Sequence, residues 1–454
     1  MKGFHLALIL LLAPILHGAK KPNFIYIMLD DAGYGDFSCF GQEKFKTPNI
    51  DRMAKEGMRM TQFYSGSTVC APARCSLMTG LHTGHCQVRG NREIQPEGQA
   101  PLKDGTPTLP LILSKGGYKT GMFGKWGLGS PGSASDPANH FDTFYGYNCQ
   151  RQAHTYYPGH LWSNKEKVPL DGHTYAHTLI ADQALKFIRK NSKKPFFAYI
   201  PITIPHAAMQ APESYVAPFR KKFPEFKDLI GKYSHGTKVK NPIAAFAGMM
   251  TLADEDIGKI LDLLEDLKID ENTFVLLTSD NGPHYEGGHK PQFFNSNGPL
   301  KGHKRDLFEG GIRVPTIAWW PGTVKAGTDN EHISAFWDML PTYCDLAGID
   351  APKNDGISFA PSLRGSEQPE HPYLYWEFHS HGGKQAIRKG KWKAIRNNVK
   401  KTTKTPIELF NLEEDIGETK NIADQHPKII KELEQLMDEA HEPHPNYLFA
   451  SDKK

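Results

Sequence analysis

The sequence predicts an α/β protein: a large, mostly parallel sheet flanked by helices, then a smaller C-terminal α+β subdomain with an antiparallel sheet. Three observations carry this prediction. Short apolar runs rich in β-branched and aromatic residues alternate with segments of helical period, as in a sheet covered on both faces. Several of those runs stop abruptly at aspartates, lysines or glycines. After about Pro352 the pattern changes to short half-buried strands separated by turn residues. The 454 residues, 39% hydrophobic and 23% charged, suffice for two such units.

Taken in order, "MKGFHLALILLLAPILHGAK" has a lysine, an apolar run from Leu6 to Leu16, then Gly18 and Ala19. That layout predicts a secretory signal peptide over 1–19, and hence an exported protein, periplasmic or extracellular. The run is short for a bilayer span, and no integral membrane segment is expected elsewhere. "NFIYIMLDDAGYGD" reads as a buried strand ending in Asp30 and Asp31. In "STVCAPARCSLMTGLHTG", Pro72 suits the first turn of a helix starting close to Ala71. Cys70 then falls at the cap, where free amides and the helix dipole favour an anion, with Arg74 one turn on. From the residues alone, Cys70 reads equally as a packed thiol, half a disulfide, a metal ligand or a precursor. Thr108 to Ser114 looks helical, and "YKTGMFGKWG" is the next strand, delivering Lys125.

"ADQALKFIRKN" is an amphipathic helix, and "PFFAYIPITIPH" a strand leading to His206. Apolar residues from Phe246 to Leu264 keep a helical period. "NTFVLLTSDNG" is a strand ending in Asp280 and Asn281. "VPTIAWWPG" and the helix "FWDMLPTYCDLAG" complete a first unit spanning 20–351. "PYLYWEF", "QAIRKGKWKAIR", "PIELFNL" and the helix "HPKIIKELEQLMDEAH" make up 352–454. The longest irregular stretches are expected near 130–139 and 287–298.

A net charge of +4 is small for this length and argues against a nucleic-acid partner. The six cysteines are spaced too irregularly for a disulfide scaffold or a zinc site. Ligands of open α/β sheets bind beyond the carboxyl ends of the strands, where these charged residues collect. A solvated turn is an ordinary use of aspartate at a strand end. Two such ends flanking an anion-binding helix start point instead to one hard, oxygen-rich site suited to Ca²⁺, with Mg²⁺ second.

Cys70-Ala71-Pro72-Ala73-Arg74 followed by "SLMTG" resembles the signature of the sulfatases of the alkaline phosphatase superfamily. The likeness runs from about Asn23 to the end, which implies an alkaline phosphatase-like fold. It implies that a formylglycine-generating maturation enzyme oxidises Cys70 to formylglycine. It implies metal ligands at Asp30, Asp31, Asp280, Asn281 and the modified Cys70, with calcium the usual ion. It implies sulfate-binding Lys125 and Lys304 beside Arg74, and a leaving-group acid at His206. Hydrated formylglycine has two hydroxyls: one attacks sulfur, and deprotonation of the other re-forms the aldehyde and expels sulfate. One position departs: "GKWGLG" has Gly127 where many members have a histidine, so the base of the last step is open. His154 is one candidate for it. His154, Tyr156, His284 and His289 are the expected substrate contacts. The glycine form resembles bacterial exported sulfatases acting on sulfated carbohydrates, with a galactose or N-acetylgalactosamine unit expected. The alternative is a phosphate or phosphonate monoester hydrolase of the same superfamily, and a non-catalytic glycan-binding relative is a third reading.

Overall fold

The computed structural model describes residues 20–234 and 236–453. The expected signal peptide, 1–19, lies outside the described residues. The chain builds a ten-stranded sheet. At its centre Thr273–Ser279, Asn23–Leu29, Phe196–Pro201, Lys119–Lys125 and Thr143–Tyr147 lie side by side and parallel. Asn23 pairs with Thr273 and Leu29 with Ser279, so these two strands end level. Beyond Thr273–Ser279 lies antiparallel Ile317–Trp319, then Met58–Met60 and Thr328–Asn330. The antiparallel pair His160–Ser163 and Glu166–Pro169 closes the opposite edge.

Every residue of Asn23–Leu29 is buried, which explains its unbroken apolar run. Side chains alternate across a strand, so this one strand feeds two cores. Ile25, Ile27 and Leu29 pack with the helices Ala176–Asn191 and Pro242–Asp266. Phe24, Tyr26 and Met28 pack on the other face with the helices Cys70–Thr79, Leu109–Lys115 and Met339–Ala347. Thr108 to Ser114 is therefore helical as expected, within one residue.

Leu374–Phe378, Lys384–Lys389, Trp392–Asn397 and Ile407–Asn411 form the four-stranded antiparallel sheet. Tyr375, Ile387, Ala394 and Leu409 meet Leu433 and Met437 of the helix Pro427–Glu439. The opposite face, with Trp376, Ala386 and Ile395, packs against Tyr64, Val69, Ile312 and Trp337 of the first unit. Trp376 also donates to the Ser65 carbonyl at 2.9 Å. The second sheet therefore buttresses the segment that leads into Cys70. Phe359, Ala360 and Leu363 belong to the core of the main sheet.

Two expectations about loops need correction. Short helices, Pro137–His140 and Pro291–Phe294, interrupt the stretches 130–139 and 287–298. A longer irregular stretch is 80–108, with only the isolated Glu93–Gln99 bridge in it. Distant side chains hold it: Arg89 donates to Glu377 and to the Glu442 carbonyl, and His85 meets Asp355. Such contacts leave no local signal in the sequence.

Candidate active site

The helix over Cys70–Thr79 begins one residue earlier than expected, with Val69 as its cap. Cys70 is its first residue, and Gly80 ends it in the left-handed region, φ 70°. The first free amide beyond Cys70, Ala71 N–H, donates to Asn91 Oδ1 at 3.0 Å. The cysteine thus sits at a fixed helix start, one turn below Arg74.

Parallel strands that end level bring their last residues together, and a sharp turn at Asp31 (φ 69°) aims its side chain among them. Asp31 N–H donates to Asp280 Oδ1 at 3.1 Å, tying the two strand ends. Cys70 Sγ donates to Asp30 Oδ1 at 3.4 Å. Lys125 Nζ lies 3.6 Å from that sulfur and donates to Asp30 Oδ2. Arg74 Nη2 donates to Asp280 Oδ2 at 2.9 Å and lies 3.5 Å from Asp30 Oδ2. Lys304 Nζ donates to Asp31 Oδ2 at 2.8 Å, with His206 Nε2 3.3 Å away. Asn281 Nδ2 donates to Asp31 Oδ1 at 2.7 Å, leaving its Oδ1 without a partner. All nine expected metal and catalytic side chains are gathered here, none more than 3% exposed.

Burial and mutual charge set their protonation. Burial works against ionising Asp30, but Lys125, then His206 and Arg74, hold its carboxyl well below the usual range. Asp280 goes the other way, pushed up to about 7 by burial and by the Asp30 charge. Burial and Asp30 also push the Cys70 thiol up, so unmodified Cys70 is a poor thiolate nucleophile. Burial and Lys304 push His206 well below the ordinary histidine value.

Three buried carboxylates face Arg74, Lys125 and Lys304, yet one of the three resists ionising. A divalent cation would relieve that crowding, and the free Asn281 Oδ1 offers it a neutral oxygen. Asp30, Asp31, Cys70 and His206 do present ligand atoms within 4.8 Å of one another. The residues therefore fit a hard metal ion.

The four expected substrate contacts divide. His154 lies at the site, its ring parallel to His206 at 5.0 Å and 6°. Burial, then Lys125 and Lys304, push it down to about 3. His284 is buried beside His206 at 5.9 Å, with Nε2 unpartnered. Tyr156 is corrected: it is fully buried, and its hydroxyl donates to the Thr203 and His206 carbonyls. It shapes the His206 loop and has no surface for a sugar. His289 is corrected too: it is buried against Phe246 at 4.0 Å, in the core of the helix Pro242–Asp266. Sequence reasoning missed Tyr233, edge-on to both His154 and His206, and Glu286, 3.1 Å from Lys304 Nζ and paired with Arg305. "HYEGGH" gives Glu286 no distinguishing signal, and Tyr233 lies in a loop without periodicity.

This arrangement, charged residues at the ends of level strands around a buried nucleophile position, defines a hydrolase centre for an anionic ester. The family description "Sulfatase" matches residues 22–349, and "N-sulphoglucosamine sulphohydrolase, C-terminal" matches 302–443. The chain is 32% identical over 402 residues to N-acetylgalactosamine-6-sulfatase of Canis lupus familiaris, covering 82% of this chain and 72% of that protein. Among solved structures, Ps i-CgsB superposes with a TM-score of 0.78 at 28% identity, covering 92% of each chain. The phosphonate monoester hydrolase of Agrobacterium radiobacter shares the fold, at TM-score 0.65 and 22% identity, covering 92% of this chain and 95% of that one. The chain belongs to the sulfatase family of the alkaline phosphatase superfamily. It is a sulfuric ester hydrolase.

Proposed function

We propose that this chain is an exported, formylglycine-dependent sulfatase that removes sulfate from a carbohydrate, with galactose or N-acetylgalactosamine units the substrate class. The observation that carries it is the buried cluster of Cys70, Arg74, Lys125 and Lys304 against Asp30, Asp31 and Asp280. The relatives support the sugar class: one is named for N-acetylgalactosamine-6-sulfate chemistry, and Ps i-CgsB also has a structure with k-i-k-neocarrahexaose.

Asp30, Asp31, Asp280, Asn281 and residue 70 would hold a calcium ion, which supplies positive charge for the ester oxygens and for the attacking oxygen. Formylglycine at 70, made by a maturation enzyme, supplies a hydrated aldehyde as nucleophile and a route for releasing sulfate without a second water attack. The remaining work falls to this chain's side chains. Arg74, Lys125 and Lys304 bind the ester's sulfate oxygens and orient sulfur toward residue 70. His206 Nδ1–H points at the Ala207 carbonyl, so Nε2 faces Lys304. Beside Lys304 alone an imidazolium is disfavoured; an anionic ester between them supports it, and Nε2–H then protonates the leaving alcohol. His154, stacked on His206 and neutral at neutral pH, is the candidate to take a proton when sulfate leaves. The pattern of residues 1–19 supports export.

Turnover of an aryl sulfate and of the matching aryl phosphate tests the reaction class, followed by a panel of defined sulfated galactosides and N-acetylgalactosaminides. The proposal expects the sulfate ester to be preferred by orders of magnitude. A comparable preference for phosphate would reject it.

A further inference from the structure

Arg74 does not spend all of its donors. Nη1 donates to the Lys125 carbonyl and Nη2 to Asp280, whereas the buried Nε has no acceptor. Gln150 reaches the same corner from just beyond the strand Thr143–Tyr147. Its Oε1 accepts from Gln99 Nε2 at 3.2 Å. The other end, Gln150 Nε2, is buried without a partner in a residue only 3% exposed. Nε2 lies 2.9 Å from where a Cβ on Gly127 would stand, and Arg74 Cδ lies 3.5 Å from that point. Gly127 has φ +79°, which disfavours any side chain there, and glycine leaves the space to the amide.

Buried donors without acceptors are rare in folded proteins, and two at one corner can serve an oxygen from outside the chain. Asp30 and Asp280, the nearby carboxylates, are already engaged by Lys125 and by Arg74 Nη2. Taking the sulfatase chemistry above as given, we propose that Gln150 Nε2 and Arg74 Nε form a donor pair for one oxygen of the oxyanion bound at residue 70. Gln150 is then a further substrate-contacting residue of the centre. Its amide donates a hydrogen bond and takes no proton, so it fills space beside Gly127 without acting as a base.

Gln150→Leu keeps the volume and removes the donor, and Gln150→Glu keeps the shape and adds a negative charge. The measurements are kcat/KM on an aryl sulfate, the inhibition constant of inorganic sulfate, and the melting temperature with and without sulfate. Gln150→Leu should lower kcat/KM about tenfold and raise the inhibition constant similarly, the effect of one lost hydrogen bond to a charged group. Gln150→Glu should do more on both counts, with ligand-free melting temperatures little changed. An unchanged sulfate inhibition constant in both variants overturns the proposal, as does a loss matched by an equal fall in melting temperature. If Gln150→Leu does not fold, Gln150→Asn, which withdraws the amide by one methylene, decides the matter by the same constant. If the unsubstituted protein binds sulfate but cleaves no aryl sulfate, the catalytic reading fails; the stabilisation by sulfate, lost or kept in Gln150→Leu, then judges Gln150 separately.

Discussion

Two buried polar clusters in this molecule look alike in composition and differ in how far they are satisfied. Around Glu377, fully buried in the second sheet, Arg89 approaches at 3.2 Å, His379 at 2.7 Å, His441 at 2.5 Å and the Tyr375 hydroxyl at 3.0 Å. His441 in turn meets Asp452 at 3.0 Å. Within this network only His379 Nδ1 is left without a partner. The cluster at Cys70 leaves Arg74 Nε, Gln150 Nε2, Asn281 Oδ1 and His284 Nε2 unpartnered, and one carboxylate reluctant to ionise. A satisfied network holds the 80–108 stretch, the second sheet and the C-terminal residues together. An unsatisfied one keeps its hydrogen bonds for a ligand.

Substitutions should separate the two roles, and the largest expected effect is on the catalytic side. Cys70→Ala should cut aryl sulfate turnover on the order of 10⁴-fold or more, as for other lost nucleophiles, with no loss of melting temperature. Retention of turnover would place Cys70 outside the chemistry. Next in size, Glu377→Gln should cost about 3–5 kcal/mol of stability by leaving buried partners uncompensated, while the folded fraction keeps its kcat/KM. A selective loss of kcat/KM at unchanged stability would erase the distinction between the clusters. Calcium should act on the catalytic cluster alone: at one hundred times its dissociation constant it should add about 2.7 kcal/mol, and a chelator should abolish turnover. A melting temperature and activity indifferent to both would remove the metal from the account.

The fold was legible because a buried parallel strand writes itself as an apolar run, and those runs end where Asp30, Lys125, His206 and Asp280 stand. The Cys70 segment was legible because Pro72 and Arg74 sit at fixed offsets along one helix. Tyr156 and His289 misled because an aromatic or histidine in a loop has the same letter whether it faces a sugar or Phe246. Gln150 and Glu377 gave no signal, because their roles depend on partners dozens to hundreds of residues away, Gln99 for one and Arg89 and His441 for the other.

The smallest effect is on acid stability. Burial opposes ionisation of Glu377, but the hydrogen bonds from His379 and His441 and the Arg89 charge hold its carboxyl at about 2, against an ordinary 4.5. Its stabilisation is therefore complete above pH 4.5 and is lost as pH falls from there toward 2. His441, raised by Glu377 and Asp452 against its burial, contributes the opposite way and loses its share as pH rises above 6.5. Melting curves from pH 2 to 5 should show a shallower decline in Glu377→Gln than in the unsubstituted protein; parallel curves would contradict this assignment.

The side chain at position 70 tests the whole account most directly. Mass spectrometry of the peptide spanning Ser67 to Arg74, from protein made in its native host, reads it without reference to substrate. The account predicts a mass loss equal to the conversion of –CH₂SH to –CHO, together with capture by a hydrazide reagent. An intact thiol in fully active protein would contradict it.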